Sequence, residues 1–344
     1  MKKLLSAVAI FATLGSAQAQ QYYPLPSPCD PDKIYTYLPN AAYENLCVFS
    51  VSITNQLYPS FPMEIFRYPN IRSIKLPSNK IGNFPTDLWN LKHVEELDLS
   101  NNNISSLPNT IGKLSTLKKL NLANNKIKVL PVALTQCTNL EELDLTGNPL
   151  ELIPSIIATM PNLKVIKAGG YKISNPVAFL NSIKGAKVTH LDLSDMGLNY
   201  IPSMLTEFKY LEHLNLSNNN IHGVIDHFFT LNTLKTLNLS GNKIRTLPTN
   251  IGNMNNLKTL DISNNLLGTL PGSFTSLRLN SLNASGNNFD LAAQQILNMI
   301  SGEPMDNGYV EPAPAMPVPS YTAPATPRYK PTVRKKTTRK KRRK

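Results

Sequence analysis

The residues best suited to chemistry in this sequence are two histidines 23 residues apart. His190 and His213 stand at equivalent positions of a repeated pattern, and Asp192 follows His190 by two residues. On adjacent strands the two imidazoles would be neighbours about 5 Å apart, and Asp192 would face the same way. Two imidazoles and a carboxylate could bind a transition metal. Because nothing in the sequence holds a third ligand in place beside the two imidazoles, we predict solvated histidines and no metal site.

Other catalytic chemistry is not indicated. No nucleophile, base and orienting residue fall on neighbouring positions, and glycine-rich phosphate loops are absent from the sequence. Cys137 aligns with Leu91 and Leu114 when it is shifted by the period. We therefore predict that Cys137 is a buried apolar residue and not a nucleophile. The sequence predicts a protein that is not an enzyme, needs no cofactor and takes no small-molecule substrate.

These positions depend on an internal repeat that runs through the middle of the chain. Proline recurs at positions 62, 85, 108, 131 and 154, each time after a large apolar residue. Between the prolines lies a second pattern, seen in Leu97-x-Leu99-x-x-Asn102-x-Ile104. About eleven such units are present when degenerate copies are counted. A period of this length indicates a solenoid, because one unit cannot bury its own apolar face and stacked neighbours can.

The pattern also predicts the local structure of each unit. In Leu-x-Leu both leucines point to one side of a short strand, and the residue between them points to the other side. An asparagine then ends the strand, where its side chain can hydrogen-bond backbone groups of the turn. This structural asparagine ladder comprises Asn79, Asn102, Asn125, Asn148, Asn219, Asn242, Asn265 and Asn287.

The repeats resemble those of leucine-rich-repeat proteins, in particular the 23-residue class with Leu-Pro after the asparagine turn. The resemblance covers residues 48–289. It implies an α/β solenoid, a horseshoe with short parallel strands on the concave face and irregular or short helical segments on the convex face. It also implies recognition of proteins, peptides or glycans by the concave face, without catalysis.

Two units depart from the family pattern. Tyr171 and Met196 stand where asparagine is expected, and the spacing between them stretches to 25 residues. Met196 cannot donate the hydrogen bonds of the asparagine. We favour a register adjustment between two stacked halves over the alternative, a deformed patch that forms a binding site.

Shifting by the period identifies the residues that line the concave face. The candidate binding residues are Asp98, Asn121, Asp144, Lys167, His190, Asp192, His213, Asn215, Asn238 and Asp261. This polar surface has few aromatic anchors of the kind that dominate protein hot spots, so it suits a glycan or a polar peptide as well as a folded protein. Six acidic residues form a patch that Lys118 and Lys119 interrupt: Glu95, Glu96, Asp98, Glu141, Glu142 and Asp144. We favour alternating charge that keeps this face soluble.

The N-terminal residues 1–19 have the pattern of a bacterial signal peptide. A basic Lys2-Lys3 start, a short apolar stretch and Ala17-Gln18-Ala19 predict cleavage before Gln20. We therefore predict an exported protein in the periplasm, at the cell surface or outside the cell. Residues 20–47 then form an N-terminal cap region, in which Cys29 and Cys47 are expected to form a disulfide in an oxidising compartment.

The C-terminal part is predicted to contain three further segments. Residues 290–301 form a capping helix with Asp290 as its N-cap and an apolar stripe of Leu291, Ile296, Leu297 and Ile300. Residues 302–331 form a proline-rich, disordered linker. Residues 332–344 form a polybasic tail that contains Arg334, Lys335, Lys336, Arg339, Lys340, Lys341, Arg342, Arg343 and Lys344.

The charge of the chain is concentrated at its ends. The 344 residues carry a formal net charge of +13, yet residues 20–309 hold 22 basic and 21 acidic residues. This nearly neutral body argues against a nucleic-acid-binding domain with a basic face. Three cysteines exclude a disulfide-dense miniprotein.

The sequence as a whole predicts an exported recognition protein. We expect its concave face to bind a protein or a glycan, and its cationic tail to attach to anionic envelope surfaces such as acidic lipids or wall polymers. Nucleic acid is not an expected partner. The alternative is a secreted effector that acts in a host cell, with the basic tail as a nuclear localisation signal.

Overall fold

The structure, a computed structural model, describes residues 29–151, 155–171 and 175–301. The predicted signal peptide, linker and polybasic tail lie outside these residues, as do residues 20–28 of the predicted cap. The chain divides into two compact units, of which the first ends at Ile166 and the second begins at Lys167.

Each unit is built from short parallel strands that follow one another in chain order. The first unit contains β1 (Ile34–Tyr35), β2 (Ser50–Ser52), β3 (Ser73–Lys75), β4 (Glu96–Asp98), β5 (Lys119–Asn121) and β6 (Glu142–Asp144). Strand β7 (Val165–Lys167) spans the division. The second unit contains β8 (His190–Asp192), β9 (His213–Asn215), β10 (Thr236–Asn238), β11 (Thr259–Asp261) and β12 (Ser281–Asn283).

The alternation of leucine with polar residues explains why each strand has one core face. In β4, Leu97 is fully buried, and so is Leu99 just beyond the strand, whereas Asp98 between them lies on the half-exposed side. Parallel pairing in register stacks Leu97 between Ile74 and Leu120, the equivalent residues of the neighbouring repeats. The core of each unit is therefore continuous from repeat to repeat.

Helical segments return the chain from one strand to the next. Most are 3₁₀ segments of three to six residues: Ala42–Cys47, Met63–Arg67, Leu88–Asn90, Asn109–Lys113, Val132–Gln136, Ser155–Thr159, Ser203–Glu207, Asp226–Thr230, Thr249–Asn253 and Gly272–Ser276. The α-helices of the described residues are α1 (Leu38–Ala41), α2 (Pro176–Ile183) and α3 (Leu291–Ser301), of which α3 follows the last strand. The predicted α/β solenoid, with short parallel strands and short helical return segments, is confirmed.

The cap regions differ from the sequence analysis in two respects, the presence of β1 and the exposure of Leu291. Strand β1 lies within the predicted N-terminal cap and pairs with β2, so the sheet begins before the first repeat. At the other end, Asp290 accepts a hydrogen bond from the Ala293 amide at 2.8 Å and caps α3. Leu291 is 71% exposed, so its placement in the apolar stripe is wrong. The helix buries Ala293 and Leu297, and Leu291 lies about 200° around the helix from Ala293.

In the described part of the chain, none of the helices has both the length and the apolar character that a membrane crossing requires.

Candidate binding surface on the sheet face

Two columns of side chains cover the exposed face of the sheet in each unit. The first residue of each strand from β2 to β12 forms the first column and the third residue forms the third column, while the middle residue points into the core. His190 and His213 begin β8 and β9 and lie in the first column. The other eight predicted binding residues lie in the third column: Asp98, Asn121, Asp144, Lys167, Asp192, Asn215, Asn238 and Asp261.

The aspartates and asparagines of the third column are hydrogen-bonded to their own backbone. In β4 the Oδ1 of Asp98 accepts from the Ser100 amide at 2.8 Å, and in β8 Asp192 accepts from the Ser194 amide at 2.9 Å. The same bond to the residue two positions later is made by Asn121, Asp144, Asn215, Asn238, Asp261 and Asn283. These side chains therefore help to end each strand, a role that sequence reasoning missed. The signal was an Asp or Asn followed two residues later by a small residue.

Charged residues on the first unit alternate in sign and pair with one another. The ammonium of Lys118 lies 2.7 Å from a carboxylate oxygen of Glu95, and Lys75 lies 3.1 Å from Glu96. In register, Lys119 stands between Glu96 and Glu142. The hydrogen bond from Lys118 holds the pKa of Glu95 below its usual value, whereas burial raises the pKa of Asp98. This face consists of alternating charge and not of an uninterrupted acidic patch.

The face of the second unit is dominated by hydroxyl, amide and imidazole groups. The rings of His190 and His213 stack with their centroids 4.1 Å apart and their planes 17° apart. The Nδ1 atoms of His190 and His213 are hydrogen-bonded to the hydroxyls of Thr189 at 2.9 Å and Thr236 at 3.0 Å. Burial lowers the pKa of His213, so its neutral form is favoured.

The carboxylate that follows His190, that of Asp192, is hydrogen-bonded to the backbone of its own repeat. An oxygen of Asp192 accepts from the Ser194 amide at 2.9 Å. Across the described ranges, no three His, Cys, Asp or Glu side chains are grouped so that they could hold a metal ion. The two imidazole rings instead form a stacked pair on the adjacent strands β8 and β9.

The irregular units at Tyr171 and Met196 lie in the second unit and enclose α2. Asn175 caps this helix by accepting from the Ala178 amide at 2.9 Å. A helix of eight residues here replaces the 3₁₀ segment of the other repeats, which accounts for the longer spacing. Met196 is buried, and its amide donates to Oδ1 of Asn219 at 3.0 Å, so the next ladder asparagine serves this turn. Tyr171 is 45% exposed.

The eight ladder asparagines link neighbouring repeats through their side chains. Asn102 donates from Nδ2 to the carbonyls of Leu76, Leu99 and Ser100, each at 3.0 Å. Its Oδ1 accepts from the Ile81 amide at 3.0 Å. Each of the other seven likewise donates to carbonyls of its own and the preceding repeat and accepts from a backbone amide of that preceding repeat.

The three cysteines have different environments. Cys29 and Cys47 form a disulfide with their Cα atoms 5.1 Å apart. Cys137 is a fully buried thiol whose Sγ donates to the Ile111 carbonyl. Burial raises the pKa of Cys137 to about 12, so this thiol is not a nucleophile at neutral pH. The nine polybasic residues named above lie outside the described residues.

Family models match two parts of the chain. A model described as leucine rich repeat matches residues 92–150 and 209–251, and a model of two such copies matches residues 232–275. These segments contain β4 to β6 and β9 to β11 together with their ladder asparagines. The chain is a leucine-rich-repeat protein.

Solved structures show the same fold. A chain of the Toll–Spatzle complex of Drosophila is 26% identical to this leucine-rich-repeat protein, with a TM-score of 0.58. The match covers 76% of this protein and 36% of that chain, so the protein spans about a third of its length. An internalin from Listeria monocytogenes is 17% identical, with a TM-score of 0.54 over 74% of this protein and 78% of the internalin.

Another solved structure is similar over most of the chain. A leucine-rich-repeat protein from Leptospira interrogans is 22% identical, with a TM-score of 0.37 over 80% of this protein and 100% of that chain. No curated protein sequence matches this leucine-rich-repeat protein.

Proposed function

We propose that this leucine-rich-repeat protein is an exported, non-enzymatic binding protein whose sheet face recognises another protein or a glycan. The fold is a protein-binding scaffold, and the Drosophila structure of similar fold is that of a complex between Toll and Spatzle. The ligand of the present protein and its export are parts of the proposal.

The observation that carries the proposal is the variation of chemistry along the first column. Its members change from Glu96, Lys119 and Glu142 in the first unit to Thr236 and Thr259 in the second. The third column is nearly uniform, because its Asp and Asn side chains are hydrogen-bonded to their own strands. The first column is thus charged in the first unit and carries hydroxyl and imidazole groups in the second, and such chemistry suits a partner with its own pattern of charged and polar groups.

We also propose that the tail, residues 332–344, holds the protein at anionic envelope surfaces. This segment contains nine basic residues and no acid, whereas residues 20–309 are nearly neutral. Each Lys or Arg near an anionic surface contributes up to about 1 kcal/mol, and the attraction weakens with salt. The tail thus supplies attachment, and the sheet face supplies specificity.

The experiment is co-sedimentation of the mature chain, residues 20–344, with cell envelopes across a salt series. The matched variant replaces the nine basic residues of the tail with glutamine. The proposal expects binding of the unaltered chain to fall as salt rises, and binding of the variant to be weak and nearly independent of salt. Equal binding of the two proteins at every salt concentration would contradict the role of the tail.

The sheet face is tested in the glutamine-tail protein, where only tail-independent binding remains. Lys119→Glu reverses the charge between two glutamates of the first column and should reduce this residual binding. Lys243→Glu is the control, because Lys243 is exposed and lies outside the strands. Equal effects of the two substitutions would argue against recognition by the face.

A further inference from the structure

A pocket of about 550 Å³ lies in the first unit, away from the two columns of the sheet face. Its apolar lining comes from Met63, Phe66, Pro69 and Leu91. Met63 is 62% exposed and Phe66 is half-buried, so the apolar surface is open to solvent. This volume lies within the range of about 300–1,000 Å³ that is typical of small-molecule sites.

The pocket occurs where a second hydrogen-bond ladder is interrupted. In the turns before β3, β5 and β6, Asn70, Thr116 and Asn139 donate to backbone carbonyls of the preceding repeat at 2.7–2.8 Å. His93 stands at the equivalent position between Asn70 and Thr116. Among the described residues His93 donates no such bond, and both His93 and Pro69, which is 24 residues earlier, line the pocket.

The return segment beside the pocket is also shorter than its neighbours. Leu88–Asn90 forms only three residues of 3₁₀ helix, whereas Met63–Arg67 and Asn109–Lys113 each have five. Thr86 and Asp87, which stand at the equivalent of the first two residues of the longer segments, form a turn instead. The interrupted ladder and the short segment therefore occur in the same repeat, beside the pocket.

Groups of opposite charge lie on the two sides of this short segment. Asp87 precedes it, and Lys92 and His93 follow it; all three line the pocket. Lys92 donates to the Trp89 carbonyl at 3.2 Å and its ammonium lies 4.5 Å from the centre of the Trp89 ring. Within the described ranges, no hydrogen bond or ion pair engages the Asp87 carboxylate. Both charges are thus available to a ligand.

We propose that this pocket binds a small zwitterion with an apolar side chain, of the class of an apolar dipeptide. Met63, Phe66 and Leu91 would contact the apolar side chains. Asp87 would pair with the ligand ammonium, and Lys92 with its carboxylate, because an ammonium still has donors free when one is used. This site is separate from the sheet face and does not depend on the function proposed for that face.

The experiment titrates the full chain with leucyl-phenylalanine. Trp89 is the single tryptophan of the sequence and contacts Lys92, so its emission reports on the pocket. Calorimetry gives the dissociation constants independently of the fluorescence. The proposal expects saturable binding, and it expects weaker binding of the N-acetylated peptide, the C-amidated peptide and glycyl-glycine, each of which lacks one of the three recognised groups.

Variants connect each ligand group to one residue. Asp87→Asn should weaken binding of the free dipeptide about five-fold and leave binding of the N-acetylated peptide unchanged. Lys92→Gln should weaken binding of the free dipeptide about five-fold and leave binding of the C-amidated peptide unchanged. Met63→Ser should weaken binding of leucyl-phenylalanine.

Two control variants separate the pocket from its surroundings. Lys113→Gln alters the surroundings of Trp89, whose ring lies 4.3 Å from the Lys113 ammonium, but Lys113 does not line the pocket. Met299→Ser removes another exposed methionine at a distant site. Both should leave the dissociation constants unchanged. The proposal would be overturned if leucyl-phenylalanine showed no saturable binding, or if Met299→Ser weakened its binding as much as Met63→Ser does. It would also be overturned if Asp87→Asn weakened binding of the free and the N-acetylated peptide equally.

Discussion

At the scale of single residues, the ladder asparagines combine burial with complete hydrogen bonding. Asn102 is 6% exposed, and its amide group contacts three carbonyls and one backbone amide in two successive repeats. Buried backbone groups that lose such partners are costly, since no water replaces them. The Asn102 side chain therefore stabilises the turn of the preceding repeat as well as its own turn.

Asn102→Ala should reduce the free energy of unfolding by about 1–3 kcal/mol, because it leaves buried backbone groups without a partner. Chemical denaturation measures this change. Asn103→Ala is the matched control, because Asn103 is the adjacent residue and is exposed; its effect should stay within about 0.5 kcal/mol. A similar loss in both variants would show that the ladder bonds are not the cause.

His213 should make stability depend on pH. Burial lowers its pKa in the folded state, so the unfolded chain binds more protons as the pH falls through about 6.5. The free energy of unfolding should therefore rise from roughly pH 5.5 to 7.5. The groups around the imidazole are His190, Glu212, Lys235 and Thr236.

The measurement is denaturation at several pH values in this window. His213→Gln should flatten the dependence, while His222→Gln, at an exposed position, should leave it unchanged. An unaltered pH dependence in His213→Gln would show that another group is responsible.

At the scale of elements, the turns after several strands contain a residue with left-handed backbone directly before the ladder asparagine. Asn101, Asn124 and Asn218 have φ values of 54–55°, and Gly147 and Gly241 have φ values of 70° and 66°. The side chain of Asn124 donates from Nδ2 to Oδ1 of Asn101, the equivalent residue of the preceding repeat, at 3.0 Å. Glycine and asparagine are the residues that tolerate this backbone, which explains their alternation here.

Gly241→Ala should destabilise the protein by about 1–3 kcal/mol. Alanine disfavours φ of 66°, and its Cβ would clash with Oδ1 of Asn218. Gly241→Asn should cost less, because asparagine accepts this backbone. The control Gly272→Ala introduces a Cβ with nothing within 4 Å and should be neutral or slightly stabilising. Thermal denaturation that ranks Gly272→Ala as the worst variant would contradict this account.

At the scale of the whole molecule, the proposed function requires export and removal of residues 1–19. Mass spectrometry of the protein recovered from the producing cell should find Gln20 at the N-terminus, because Ala17-Gln18-Ala19 has the small residues that signal peptidase requires. Substituting Ala17 and Ala19 with Arg should leave the uncleaved chain. Recovery of chains that begin at Met1 from the unaltered sequence would refute export by this route.

The body and the ends of the molecule differ in a way that composition alone predicts. Residues 310–344 contain eleven basic residues and one acid, whereas residues 20–309 contain nearly equal numbers of basic and acidic residues. Salt should therefore affect attachment without affecting the stability of the scaffold to a comparable degree.

The repeated features of this protein could be predicted from its periodicity. The period of 23 residues predicts the strands, the buried leucines and the positions of the ladder asparagines, because every copy of a repeat has the same local pattern and the same stacked neighbours. The burial of Cys137 followed from the same alignment. The stacking partner of His190 was also predictable, since His213 is one period away.

The features that depart from the period could not be predicted in this way, because they depend on three-dimensional contacts. The tertiary structure places the oxygens of the third-column side chains on their own backbone amides, which depends on rotamers that spacing does not specify. It exposes Leu291, because α3 docks through Ala293 and Leu297. It also opens a pocket at His93, where a single substitution in a turn coincides with a shortened 3₁₀ segment. These features depend on contacts between repeats that differ, and a repeated sequence pattern describes only what the repeats share.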